Sequence, residues 1–348
     1  MLDEAGTGGG VCISVGLSFP TIEEYLRRVR NAAFVLVVVA ACHRPTAEPQ
    51  DAAVSAPTII TATPAPTATS APSGKTYTVR IKRPTHVGDT SHVSVDDDRV
   101  EHTVTRVLGT AKEDRKTSRG HIEGTTKLLA LQPDGLSALR DEIVVADFWA
   151  IKNDGPKTAL ATPGARLVVE RGATKRDARV TIDGRAAAKD VIDALDHLTS
   201  LTLHKGPSDD DVFGTKTPQP IGGEWPIDTE LAEKDLRTRD MVIPPGSIKG
   251  STKLVAVRAI RGVDCLEIDN HMAISALQSM GELPPGSSIK NAHIDVHMHM
   301  MLPIDETKTA LESQMDLTMA GVFTVPTPKG PVEVELDSVD HKRAVDLP

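Results

Sequence analysis

The chain has 348 residues, 39 basic and 48 acidic side chains, a formal net charge of −9, and few aromatics: 2 Trp, 2 Tyr and 5 Phe. A chain that repels phosphate and offers so few rings for stacking argues against nucleic-acid binding and against sugar-stacking platforms. Its three cysteines, Cys12, Cys42 and Cys265, supply no disulfide framework, so the fold must rest on its hydrophobic core.

Residues 1–25 are too long, too Gly-rich and, with Asp3, Glu4, Glu23 and Glu24, too acidic for the n-region of an export signal. A true start at Leu26 or Val29, with 1–25 a start-site artefact, accounts for them. Next comes a basic cluster, Arg27, Arg28 and Arg30, and then an apolar run from Ala32 to Ala41 that ends at Cys42. At ten residues the run is half of the roughly 20 needed to cross a bilayer as a helix, so it reads as the removable core of a secretory signal. The alternative is a buried strand or short core helix, but linker-like sequence follows at once.

Val39-Ala40-Ala41-Cys42 resembles the bacterial lipobox, where a small-residue pair presents a cysteine for lipidation and signal peptidase II cuts before it. The resemblance implies lipidation at Cys42 and a membrane anchor. In enterobacterial lipoproteins an Asp after that Cys favours the inner membrane; here the position is His43, so the resemblance implies the outer membrane, facing periplasm or exterior.

Residues 42–74 are dominated by Pro, Ala, Thr and Ser without a periodic apolar face. They cannot bury enough surface to offset the entropy of ordering, and they read as a disordered, semi-stiff tether. From residue 75 the chain reads as mainly β, a β-rich α+β fold. Residues 76–82 and 100–107 alternate apolar and polar, and Gly, Pro and Asp clusters punctuate the gaps. One helix stands out over 186–203, with Asp183 as the expected N-cap. Its apolar residues Val191, Ala194, Leu195 and Leu198 recur on one face, while Asp193, Asp196 and His197 are expected to face away.

Two decapeptides echo each other across this helix. Ile122-Glu-Gly-Thr-Thr-Lys-Leu-Leu-Ala-Leu131 and Ile248-Lys-Gly-Ser-Thr-Lys-Leu-Val-Ala-Val257 are identical at six of ten positions. A shorter echo follows in the same order, Lys157-Thr-Ala-Leu160 and Lys308-Thr-Ala-Leu311, at a different spacing. An old duplication with insertions predicts two related β lobes, 75–184 and 218–348, joined by a helix and linker at 185–217. Reuse of similar strand phrases is the simpler alternative.

In the second lobe, long strands are expected near 251–260, 264–274, 289–301, 309–323 and 331–339. They form an antiparallel meander that should curl into a curved sheet. Such a shape is similar to the periplasmic lipoprotein carriers at the level of architecture. Period two puts Cys265, Glu267, Asp269 and His271 on one face of the second strand, and His293, Asp295, His297 and His299 on one face of the third. With the connection centred near residue 283, His271 should face Asp295, Asp269 should face His297, and Glu267 should face His299. Glu312, Gln314 and Asp316 should lie alongside.

Imidazoles two apart on a strand, with a cross-strand carboxylate, are a plausible zinc site, so His271, His293, His297 and His299 are the candidate ligands, His297 and His299 foremost. The plain alternative is a wet sheet face of cross-strand polar pairs. Asp96-Asp97-Asp98 and Asp209-Asp210-Asp211 lack EF-hand spacing and read as solvated turns. Cys265 is expected on a sheet surface, its reactivity opposed by acidic neighbours. Trp149 and Trp225 read as core or rim aromatics. No nucleotide loop, nucleophile elbow or metalloprotease helix is present.

The functional expectation is a membrane-anchored, non-enzymatic envelope lipoprotein that binds an apolar or peptide-like ligand or an envelope protein. The soft side chains Met298, Met300, Met315 and Met319 would line an inner concavity. The alternatives are a metal-dependent hydrolase on the histidine patch, or a purely structural envelope component.

Overall fold

The computed structural model describes residues 74–347 except 108, 134, 136, 239, 282, 328 and 329; the signal region, Cys42 and the tether up to residue 73 lie outside the described residues. The first half of the fold supplies strands β1 (Thr76–Tyr77), β2 (Thr90–Val107), β3 (Thr110–Leu131), β4 (Ala138–Lys152), β5 (Thr158–Ala159), β6 (Arg166–Glu170), β7 (Arg179–Ile182) and β8 (Arg185–Ala186). The second supplies β9 (Gln219–Pro220), β10 (Glu224–Pro226), β11 (Met241–Val242), β12 (Ile248–Ile260), β13 (Val263–Ile274), β14 (Ser279–Met280), β15 (Ser288–Pro303), β16 (Glu312–Val325) and β17 (Val332–Leu347). Helices α1 (Lys189–Leu198), α2 (Asp209–Phe213) and α3 (Thr229–Thr238) fall in the stretch between β8 and β11.

The fold is mainly β, as the alternation predicts. Thirteen strands form one antiparallel sheet in the order β10-β12-β13-β15-β16-β17-β2-β3-β4-β6-β7-β8, with β5 beside β4. Each half contributes one meander. The last long strand joins the first: β17 lies against β2 from Val332 opposite Val107 to Leu347 opposite His92. The sheet is therefore complete only when the two ends of the described chain meet, a contact of high sequence separation.

Period two sorts the side chains. Met315, Leu317, Met319 and Phe323 of β16, and Ile294, Val296, Met300 and Leu302 of β15, are buried on the inner face. Helix α1 covers the β2–β4 side, setting Val191, Ala194, Leu195 and Leu198 among Ile122, Phe148 and Leu167. Helix α3 covers the other end, with Ala232 and Leu236 packed against Ile274, Ile294 and Met319. Where the two meanders join, the inner face is unexpectedly charged: Asp97, Arg99 and Glu101 of β2 and Asp340 and Lys342 of β17 are buried. Arg99 pairs with Glu101 at 3.2 Å, and Lys342 Nζ donates to the His197 carbonyl at 3.2 Å. A cation at the C-terminal end of α1 complements the partial negative charge of the last carbonyls.

Several local expectations are corrected. Asp183 does not cap α1; the helix begins at Lys189 after Ala188, without a side-chain cap. Asp183 and Gly184 instead form the turn between β7 and β8, with φ of 50° and 77°. Asp-Gly is the preferred pair for a two-residue hairpin with both residues left-handed, and here that turn preference prevails over capping. Asp196 faces inward, not outward, and receives Lys175 Nζ at 2.5 Å.

The two acidic runs are not solvated turns. Asp96-Asp97-Asp98 lies in the middle of β2, and Asp209-Asp210-Asp211 is the first turn of α2 behind a Ser208–Asp211 capping box. Asp210 accepts the Ile81 amide at 2.5 Å, and burial pushes its pKa up. Of the strand expected over 76–82 only Thr76 and Tyr77 are paired, although Val79 is also buried. Helix α3 is an addition to the one helix expected: Asp228 accepts the amides of Glu230 and Leu231 at 3.1 and 3.0 Å and starts it.

The decapeptide echoes occupy β3 and β12 and behave alike. At Gly124 an added Cβ would sit 2.4 Å from the Val144 carbonyl oxygen, and at Gly250 2.3 Å from that of His271. Ile122 and Ile248 are buried, as are Leu128 and Leu254. Each strand then slips by one residue at the same place in the phrase, after Leu128 in β3 and after Leu254 in β12. The shorter echoes are spaced differently because the second half carries a further long strand, β15, before Lys308.

Candidate metal centre

The candidate site is on the outer face of the sheet, where β13 and β15 run side by side. Their register sets His271 opposite His297, Asp269 opposite His299, and Glu267 opposite Met301. This departs from the pairing expected from a connection centred at 283, because the connection is centred one residue later. A slip of two in partner number leaves every side chain on its face, so the face survives the error while the pairs change. On β16, Asp316 lies opposite His297 and Gln314 opposite His299, as expected.

Asp295 is the hub. Its Oδ2 is 3.1 Å from His271 Nε2, and its Oδ1 is 2.7 Å from His297 Nε2. The two imidazoles stack with ring centres 4.2 Å apart and planes 20° from parallel. The ligand atoms of His271, Asp295 and His297 all lie within 4.8 Å of one another. His293 Nε2 is 4.0 Å from Asp295 Oδ2, at the margin of the group. His299 does not join this group: its Nδ1 lies 2.6 Å from Asp269 Oδ1 and its Nε2 3.8 Å from Glu267 Oε1.

Of the four histidines expected as ligands the fold thus gathers His271, His293 and His297 around one carboxylate and turns His299 away. Asp295 was visible on the same face in the sequence; only the register makes it the shared partner.

The spacing suits a tetrahedral ion. With bonds of about 2.0–2.1 Å, neighbouring donors on zinc stand roughly 3.3 Å apart, and the two imidazole–carboxylate distances, 3.1 and 2.7 Å, are both somewhat shorter, so the groups would spread slightly to take the ion. The side chains of His271, His293 and His297 are 43%, 54% and 61% exposed, so the position is open to water rather than walled as a hydrolytic cleft would be.

The same face continues across the join. His341 of β17 bonds Asp316, and His121 of β3 reaches Asp96 of β2 at 2.7 Å. Trp149 stacks on His121 with centres 5.5 Å apart and lies under the Lys157 ammonium, which makes it a rim aromatic. The hydrogen bond to Asp96 holds the His121 pKa above the ordinary imidazole value. Trp225 is a core aromatic, its Nε1 donating to the Phe213 carbonyl at 2.9 Å. Cys265 is not on a free surface: it is fully buried, and burial followed by the charge of Asp264 pushes its thiol up to about 11. A thiol that stays protonated is no nucleophile at neutral pH.

No family model and no curated protein matches the chain. Among solved structures it is similar to a DUF1329 family protein from Desulfovibrio piger, at 11% identity over 71% of this chain and 84% of that one, with a TM-score of 0.14. A likeness that distant carries no argument about function.

Proposed function

We propose that this chain is a membrane-anchored, non-enzymatic envelope protein that captures a divalent transition-metal ion, zinc by ligand type, on the outer face of its sheet. The observation that carries this reading is the convergence of His271, Asp295 and His297 within 4.8 Å. Two neutral imidazoles and a carboxylate are a borderline donor set that suits zinc, and they leave one position for His293 or water. The solvent access of these groups favours holding an ion over hydrolysing a substrate with it.

The anchor rests on the Val39-Ala40-Ala41-Cys42 signal, with His43 supporting outer-membrane placement. The apolar-ligand reading has less support, since Met300, Met315 and Met319 are buried in the core, their commoner use.

Purified without a His tag and dialysed against micromolar zinc, the protein should retain about one equivalent, and His271→Ala/His297→Ala should retain none. No retention by the wild type, or equal retention by the double variant, returns the patch to ordinary surface. In a bacterial host, palmitate should label the wild type and spare Cys42→Ser; label kept by the variant removes the anchor.

A further inference from the structure

Among the described residues, strands β3 and β12 both run past a neighbour and leave part of an edge bare. The first is β3, whose pairing with β4 begins only at Ser118. Its bare portion holds Lys112, Glu113, Asp114, Arg115 and Lys116 in succession. Such a run of charge is how proteins keep an open edge from recruiting another strand.

The second is β12, and it is not guarded in this way. Strand β10 covers only Ser251, Thr252 and Lys253. The cover ends at Leu254, whose amide donates to Gly223 at 2.9 Å and whose carbonyl accepts from Gly222 at 2.7 Å. Beyond it, residues 255–260 have no backbone partner on that side among the described residues. They read Val-Ala-Val-Arg-Ala-Ile, and the one charge, Arg258, is paired with Glu267 at 2.5 Å.

We propose that residues 255–260 of β12 accept an extended segment of a partner protein as an added antiparallel strand, apolar in its middle and acidic at its ends. Open N–H and C=O groups on an edge recognise extended backbone, whatever the side chains, and β10 already binds the first part of the same edge in this way. Leu254 turns its own N–H and C=O outward, and after the slip at Val255 the alternation turns those of Val257 and Ala259 outward.

The side chains define the chemistry. Val257, like Ile221, packs against the buried cluster that includes Trp225 and Leu266, so it offers an apolar neighbour to the middle of an incoming strand. Exposed Lys253 and Arg261 bracket the free stretch, so carboxylates fit at its two ends. This interaction is independent of the metal reading and would fail or survive separately from it.

The test uses the whole protein and the labelled peptide Glu-Val-Thr-Val-Thr-Val-Glu, with Lys-Val-Thr-Val-Thr-Val-Lys as control. Saturable binding is expected, at least tenfold weaker for the control and for Ala259→Pro, which removes an outward N–H on an exposed edge where proline is tolerated. Should that variant not fold, amide exchange of the wild type decides: the peptide should slow exchange at Val257 and Ala259 by tenfold or more. Equal binding of both peptides, or unchanged exchange at those amides, overturns the proposal. A wild-type dimer that Ala259→Pro makes monomeric, and that the peptide does not dissociate, also overturns it by assigning the edge to a second copy.

Discussion

Strands β3 and β12 carry nearly the same ten residues and solve the same local problem in the same way. Each brings a neighbouring backbone against a glycine, buries one isoleucine and one leucine, and slips by one residue after that leucine. What differs is the company. In β3 the phrase has β4 on one side and the 18-residue β2 on the other as far as Lys127; in β12 it has β13 on one side and the three-residue β10 on the other as far as Lys253. A strand phrase can therefore specify its own bulge and face while leaving the length of its partners to the rest of the chain.

The strongest way to break this comparison is at the two glycines. Gly250→Ala should destabilise the fold by about 2–3 kcal/mol, and Gly124→Ala by a similar amount, because a Cβ at either would press on a carbonyl that the sheet holds in place. The effects should add, since the positions are distant and share no partner. Chemical denaturation of the two single variants and the double would check this. A neutral Gly124→Ala beside a costly Gly250→Ala would mean that the phrases are equivalent in sequence and not in mechanics.

A smaller effect compares the two halves of the histidine face. His121 has its pKa raised by Asp96, so its protonated form is favoured in the folded state. Its contribution to stability is complete below the unfolded imidazole value near 6.5 and is lost as pH rises through the raised folded value. Asp96→Asn should bring the His121 pKa back towards the ordinary range in an NMR titration. It should remove a few tenths of a kcal/mol of stability at acid pH and none at pH 9. A loss that is the same at both pH values would assign Asp96 a packing role instead.

Much of the fold was legible in the residues. Period two placed β12, β13, β15 and β16 within a few residues of their ends and found the start of β17, which runs on to Leu347 instead of ending near 339; a sheet with one buried face writes its alternation into every strand. The stripe of Val191, Ala194, Leu195 and Leu198 marked α1 for the same kind of reason. Helix α3 was less legible because its apolar stripe is thin, Ala232 and Leu236 among charged neighbours, and its start depends on the single side chain of Asp228. The buried charges at the join of β2 and β17 could not be read at all. An Asp-Asp-Asp run in isolation looks solvated, and only pairing with a strand from the far end of the chain turns Asp97 inward.

By itself, then, the sequence determined the long strands of the second half and the fact that His271, His293, His297 and Asp295 share one face, because both follow from local alternation. The tertiary structure alone decided which of these groups meet. The length of the β13–β15 connection and the short β14 within it shift the pairing, so His271 stands against His297 with Asp295 between their imidazoles, and His299 is left to Asp269. Alternation has a period of two and is blind to a register slip of two, whereas a metal site or a bare edge depends on that slip.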